Sequence, residues 1–256
     1  MNIKVAHPNG HCEGSINITG SKSETNRLLL LQALFKDFEL KNTSNSDDSQ
    51  VMQKALETSS SVIDIHHAGT AMRFLTAYFS HQEGRSVVLT GSPRMQERPI
   101  QILVDALRTL GASISYENKE GFPPLKIEGK KLEGGKVELP ADVSSQYISA
   151  LLLLGPVLDQ GLELHLIGEI TSIPYINMTL ALLNSLGVTT SFKGQLIRVS
   201  PLMEPKRATQ IVESDWSSAS YFFSIVALSE SAEIHLTSYR QESLQGDSVL
   251  KSIYKD

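Results

Sequence analysis

Two segments of this chain end in the same way, and that repetition restricts the fold more than any single motif does. Residues 103–112 and 179–188 each carry apolar residues at helical spacing and close on a glycine, Gly111 or Gly187. A glycine there suits a left-handed helix cap, with a strand to follow. Three other segments open on small polar residues and become apolar helices: Gly69-Thr70-Ala71-Met72, Ser144-Ser145-Gln146-Tyr147 and Ser217-Ser218-Ala219-Ser220. Both sets recur at about 75 residues, whereas solenoid units run to roughly 20–50 residues. The repeat is therefore read as an α/β subdomain whose helices pack together.

Short β-rich runs alternate with helical runs throughout. Strands are expected over 16–19, 62–65, 86–89, 125–128, 162–167, 196–200 and 233–237, and residues 1–5 also read as a strand. Helices are expected over 23–35, 69–79, 99–110, 145–154, 175–186 and 217–228. The fold class is α/β (α+β). The helices beginning at Ser23, Thr70, Ser145 and Ser218 are apolar on nearly every side, which places them in an interior. If such helices converge, their polar amino termini face one cavity.

Composition removes several function classes. Across 256 residues the net charge is −5, which argues against general attraction to nucleic acid or acidic membranes. Cys12 is the single cysteine, so there is no internal disulfide and no multi-cysteine zinc site. No run approaches a membrane span, and the amino terminus lacks the apolar stretch of a signal peptide. A cytoplasmic protein is expected.

The segment Gly20-Ser21-Lys22-Ser23-Glu24-Thr25-Asn26-Arg27 carries the chemistry. It sets an ammonium and a guanidinium at a turn that opens into the leucine run 28–31. The unpaired N–H groups of a helix start attract anions, and Lys22 and Arg27 add full charges. Capping alone accounts for Thr70, while Gly69 permits close approach by a ligand. Arg94 and Arg98 stand before a helix expected to begin at Pro99, against the dipole preference, which an anion would relieve. Ser144 and Ser145 supply two hydroxyls where one cap suffices, and Ser172 with Pro174 and Tyr175 repeats the theme. Asp47 and Asp48 lack a third ligand and read as capping or solvated groups. His67 reads as a cavity-lining or core residue, and Trp216 as core packing.

Taken together these blocks resemble the 5-enolpyruvylshikimate-3-phosphate synthase family. The matching segments are Gly20-Ser21-Lys22-Ser23 with Asn26-Arg27, Ala68-Gly69-Thr70-Ala71-Met72-Arg73-Phe74, and Leu89-Thr90-Gly91-Ser92-Pro93-Arg94-Met95 with Arg98-Pro99-Ile100. They continue through Val143-Ser144-Ser145-Gln146-Tyr147, Ser172 with Pro174-Tyr175-Ile176, and Ser217-Ser218-Ala219-Ser220-Tyr221-Phe222. The resemblance implies the enolpyruvyl transferase fold, with domains of three βαβαββ units joined by a double hinge. The crossings are expected near residues 19–21 and 213–215.

It further implies that Ser23, Arg27, Ser144, Ser145, Gln146 and Ser172 hold shikimate 3-phosphate, with Tyr175 along its ring. Lys22, Gly69, Arg98 and Gln146 would face phosphoenolpyruvate. Lys22 is the candidate catalytic residue, for proton handling or charge stabilisation. No organic cofactor or metal is required, the substrates are small anions, and a monomer is expected.

Two departures stand out. Members of the family continue well past Gly246-Asp247, so the chain is expected to be truncated. Residues 20–214 would form one near-complete domain, with 1–19 and 215–256 as pieces of a second, less stable than the middle. Lacking the family's acidic proton acceptor, the chain alone is expected to bind shikimate 3-phosphate weakly and turn over negligibly. His67 also stands where the family usually has Asn, which makes local charge depend on pH. Two other readings stay open: the sister transferase acting on UDP-N-acetylglucosamine, and a non-catalytic anion-binding module.

Overall fold

The computed structural model describes residues 10–36, 38–206 and 209–255. The strand expected over residues 1–5 lies outside them. In chain order the elements are β1 (His11–Ile16), α1 (Lys22–Phe35), β2 (Leu40–Lys41), α2 (Asp47–Glu57), β3 (Val62–Asp64), α3 (Gly69–His81) and β4 (Ser86–Thr90). There follow α4 (Pro93–Gln96), α5 (Gln101–Thr109), β5 (Ser113–Tyr116), β6 (Leu125–Glu128), β7 (Gly135–Pro140), α6 (Ser145–Leu154) and β8 (Leu162–Ile167). The chain finishes with α7 (Ile173–Ser185), β9 (Thr190–Lys193), β10 (Leu196–Val199), β11 (Gln210–Ile211), α8 (Trp216–Leu228), β12 (Ser231–Leu236) and α9 (Leu250–Ile253).

The repeat is visible in the sheets. One sheet has the order β3-β4-β6-β5, with β3 parallel to β4 and the other pairs antiparallel. A second has the order β7-β8-β10-β9, with β7 parallel to β8 and the rest antiparallel. In each, a helix carries the chain between the parallel strands, as a crossover must, and the unit is βαβαββ. A third grouping, α1, β2, α2 and β11, has only a two-stranded parallel sheet among the described residues.

The shared helix ending is also present. Gly111 and Gly187 have φ of +98° and +96°. Ala112 N–H reaches back to Leu107 O at 2.9 Å, and Val188 N–H to Leu183 O at 3.1 Å. That bond across the last turn satisfies carbonyls the helix leaves open, and the left-handed step costs glycine little.

Helices α3 and α6 run through the centre of the core. Residues 69–80 of α3 and 147–154 of α6 are all buried, and Leu151, Leu152 and Leu153 are 0% exposed. Each such leucine contributes roughly 1.5–3 kcal/mol by leaving water. Two polar residues of α3 bond within their own helix: Thr76 Oγ1 donates to Met72 O, and Ser80 Oγ to Thr76 O, both at 2.7 Å.

Three expectations need correction. Helix α8 is as apolar as α6, yet only Trp216 and Ala219 of it are buried, while Tyr221 is 73% and Leu228 88% exposed. It packs against the two-stranded parallel pair β1–β12 and nothing covers its other face among the described residues. The strand expected over 16–19 lies earlier, at β1, because its partner β12 runs alongside His11 through Ile16. Helix α2 was not expected, since its exposed face is almost wholly polar. Its inner stripe is Ser49, Met52 and Ala55, and Ser46 caps it by accepting from Ser49 N–H.

Buried apolar residues form two clusters, a large one and a small one built on Ile18, Trp216 and Ala219, each the centre of a lobe. The chain passes between these two lobes twice, at points that meet. Gly20 and Ser214 form an isolated antiparallel bridge. Ser21 N–H donates to Glu213 O at 2.8 Å, and Asp215 N–H to Thr19 O at 3.1 Å.

Candidate functional site

Four helix starts, those of α1, α3, α6 and α7, are stitched together by side chains. Arg27 of α1 is the main stitch. Its Nε donates to Thr179 Oγ1 of α7 and its Nη2 to Ser149 Oγ of α6, both at 2.8 Å, while Nη1 donates to Ser23 O at 2.7 Å. The guanidinium lies over Phe74 of α3 and Tyr175 of α7, at 5.5 and 5.8 Å from the ring centres. Gln146 Nε2 donates to Thr70 Oγ1 at 3.3 Å, joining the starts of α6 and α3.

Arg27 is 3% exposed, and no carboxylate comes within ion-pair distance of it among the described residues. Burial lowers its pKa to about 10, so it stays charged at neutral pH. Arg73 of α3 is a second buried guanidinium, 4% exposed and likewise without a carboxylate partner. It donates to Gly69 O at 3.2 Å and Pro99 O at 3.3 Å, and its Nε has no partner among the described residues. Burial, and the neighbouring charge of Arg98, push its pKa down. Two buried cations without counter-ions make a strong local demand for anions on an otherwise acidic protein.

Arg98 does not stand at a helix start as the sequence suggested. Pro93 and Arg94 belong to the separate turn α4, capped by Ser92, and α5 begins only at Gln101. The expected conflict with the α5 dipole is therefore absent. Arg98 instead lies against α3, where a Cβ on Gly69 would fall 2.5 Å from its Nη1. With His67, Arg94 and Met95 it lines a cavity of about 570 Å³. His67 is exposed rather than in the core, and its Nδ1 is 2.8 Å from Ser92 Oγ.

The remaining expected residues fall around the same helix starts. Lys22 is exposed at the start of α1 with Ser23 one residue on. Ser144 caps α6 loosely, accepting from Gln146 N–H at 3.4 Å. The hydroxyls of Ser145 and Ser172 have no hydrogen-bond partner among the described residues, and no contact ties them to the Arg27 group. Tyr175 and Ser23 share a cleft of about 280 Å³ with Asp215, Ser217 and Asp247 from the second lobe. A larger cleft of about 610 Å³ lies beside α8, but its lining is apolar and bears no charged group.

A family model described as EPSP synthase (3-phosphoshikimate 1-carboxyvinyltransferase) matches residues 51–256. The chain belongs to the EPSP synthase family. It is 54% identical over 239 residues to the 3-phosphoshikimate 1-carboxyvinyltransferase of Bacteroides fragilis (strain YCH46), covering 92% of this chain and 58% of that protein. To the enzyme of the same name from Mannheimia haemolytica it is 35% identical over 278 residues, covering 96% and 64%. The chain thus spans 58–64% of the length of these relatives. EPSP synthase from Acinetobacter baumannii superposes with a TM-score of 0.75 at 22% identity, over 92% of this chain and 58% of that one, a likeness of fold.

In this EPSP synthase family chain Asp48, expected to be a capping or solvated group, is neither: Ser46 caps α2, and Asp48 is partly buried against α1 and α3. Asn26 Nδ2 donates to its Oδ1 at 2.7 Å, and Ser49 Oγ donates to Asn26 Oδ1 at 2.7 Å. Burial raises the Asp48 pKa, opposed by the charge of Lys22, the Asn26 bond and the approaching N–H groups of Thr70 and Ala71. Asp48 thus faces the α3 start that a purely anion-binding picture leaves open. Ser149 and Thr179 belong to none of the sequence motifs that carry the family resemblance, although a lone hydroxyl inside an apolar helix is a signal that it meets something polar.

Proposed function

We propose that this chain carries the shikimate 3-phosphate cradle of a 3-phosphoshikimate 1-carboxyvinyltransferase. In that reaction the 5-hydroxyl of shikimate 3-phosphate adds to C2 of phosphoenolpyruvate, and loss of phosphate leaves the enolpyruvyl ether. Ser23, Arg27, Ser144, Ser145, Gln146 and Ser172 would hold the phosphate and ring hydroxyls, with Tyr175 along the ring. Lys22, Gly69, Arg98 and Gln146 would face phosphoenolpyruvate, with Lys22 stabilising charge or handling a proton. Fixed donors in a closed site suit a reaction that brings two polyanions together.

The observation that carries this reading is Arg27, buried, charged and without a carboxylate while hydroxyls on two other helices orient it. Guanidinium and hydroxyl donors suit a phosphate monoester and ring alcohols. Residues 20–214 form the cradle domain in this reading, with 1–19 and 215–256 as part of a second. The protein would be monomeric and cytoplasmic; among the described residues no helix is long and apolar enough to cross a membrane.

Calorimetric titration with shikimate 3-phosphate, inorganic phosphate and UDP-N-acetylglucosamine tests the reading. Saturable binding of the first alone, lost in Arg27→Ala, is the expected result. Equal heats for inorganic phosphate would favour a generic anion module, and preference for the nucleotide sugar the sister transferase. Turnover should be negligible for this chain and appear on mixing with a polypeptide covering the rest of the Bacteroides fragilis relative's length.

A further inference from the structure

Glu24 is a buried acid that the proposed chemistry does not use. It sits in the first turn of α1, next to Ser23, but its side chain is 1% exposed and turned toward the double crossing. Among the described residues no group makes a full hydrogen bond to either carboxylate oxygen, although the Glu213 N–H approaches them. Among the described residues its ion-pair partner is Arg240, whose Nη2 is 3.4 Å from Oε1.

Arg240 comes from the other lobe, in the loop after β12. It ties down the second crossing as well: its backbone N–H donates to Glu213 Oε1 at 2.9 Å, and its guanidinium donates to Ile211 O. Glu213 is 1% exposed and holds the lobe together further, accepting from Trp216 Nε1 at 2.8 Å and Ser243 Oγ at 2.7 Å. The charged groups that face Glu24 are Arg240 from the β12 loop, Glu213 from the crossing strand, and Arg27 from α1 itself.

We propose that the Glu24–Arg240 pair is a proton-operated latch between the two lobes, closed while Glu24 is ionised and released when it takes up a proton. The carboxylate is held by the charge of Arg240 and by the approaching N–H of Glu213, and both interactions weaken when it takes up a proton, so protonation removes most of what fixes it. Desolvation by burial raises the Glu24 pKa to about 7, despite the opposing charge of Arg240, which puts the switch near neutrality. The pair joins the very strand crossings through which the lobes connect, so its state bears on their relative orientation. None of this depends on which anion the site takes.

Trp216 is the only tryptophan in the chain and is bonded to Glu213 within this cluster, so it reports the latch directly. Fluorescence of the unliganded full chain, titrated from pH 5 to pH 9, should show one transition near pH 7. Glu24→Gln should abolish it. Arg240→Gln, which keeps the acid but removes its counter-charge, should move the midpoint upward. The proposal is overturned if the parent chain shows no transition in that range, if Glu24→Gln retains it, or if Arg240→Gln leaves the midpoint where it was.

Discussion

The guanidinium of Arg98 rests against the backbone of Gly69, so close that a methyl group on Gly69 would stand 2.5 Å from Nη1. Gly69 is the first residue of α3, and its neighbours Thr70 and Ala71 turn their N–H groups toward Asp48. Cation, helix start and carboxylate therefore share one small region. Gly69→Ala should displace the flexible end of Arg98 while leaving the helix intact, because alanine is the better helix former by about 0.5–1 kcal/mol. The expected result is an unchanged or slightly higher melting temperature with phosphoenolpyruvate affinity down about tenfold, about 1.4 kcal/mol. Differential scanning calorimetry and titration calorimetry read the two effects separately.

Arg27→Met should separate binding from stability. Removing the guanidinium leaves Ser149 Oγ and Thr179 Oγ1 bonded to each other at 3.0 Å, and Thr179 still donates to Tyr175 O at 2.8 Å. No polar group is stranded, and an apolar chain of similar length removes the expense of burying a lone cation. Stability should hold or rise, while shikimate 3-phosphate affinity falls about 10–100-fold, the worth of charge-assisted hydrogen bonds. A fall in melting temperature without loss of binding would contradict the role given to Arg27.

Asp48→Asn tests the carboxylate that faces α3. Its pKa is raised in the fold by burial, so the ionised form is the disfavoured one. The associated stability is present below the unfolded pKa and lost as pH rises through the folded value. The variant should therefore be no less stable than the parent at neutral pH. It should also leave Lys22 without its acidic neighbour, so phosphoenolpyruvate binding should change while shikimate 3-phosphate binding does not. Paired titrations with each ligand decide this.

Glu24 makes a similar prediction with a defined window. Its folded pKa is raised from 4.5 to about 7, so the folded protein keeps a proton that the unfolded chain gives up. Stability should fall as pH rises from about 4.5 toward 7 and level off above it. Glu24→Gln should flatten that slope, gaining roughly 1–3 kcal/mol at pH 8 and little at pH 4. Urea denaturation at several pH values provides the measurement.

Much of the framework could be read from the chain. Strands β6 and β8 and helix α6 fall on the expected residues, because alternation and continuous leucine runs are strong signals. The glycine endings of α5 and α7 were legible since only a left-handed residue closes a helix that way. The two-residue strands β2 and β11 were not, as so short a run holds no period. Helix α8 is far less buried than its apolar sequence implies, because that sequence records a need for cover and says nothing of whether cover is present.

The amino-acid order by itself determined the repeated α/β units, the apolar central helices and the polar residues at their starts, all consequences of local periodicity and capping. Only the tertiary structure decided that Arg27 is buried among hydroxyls from α6 and α7, that Arg98 lies on Gly69, and that Asp48 and Glu24 face charged neighbours far away in sequence. The reason is physical: periodicity describes which face of an element is apolar. The electrostatics of a site depend on which distant elements bring their few polar atoms into the same low-dielectric space.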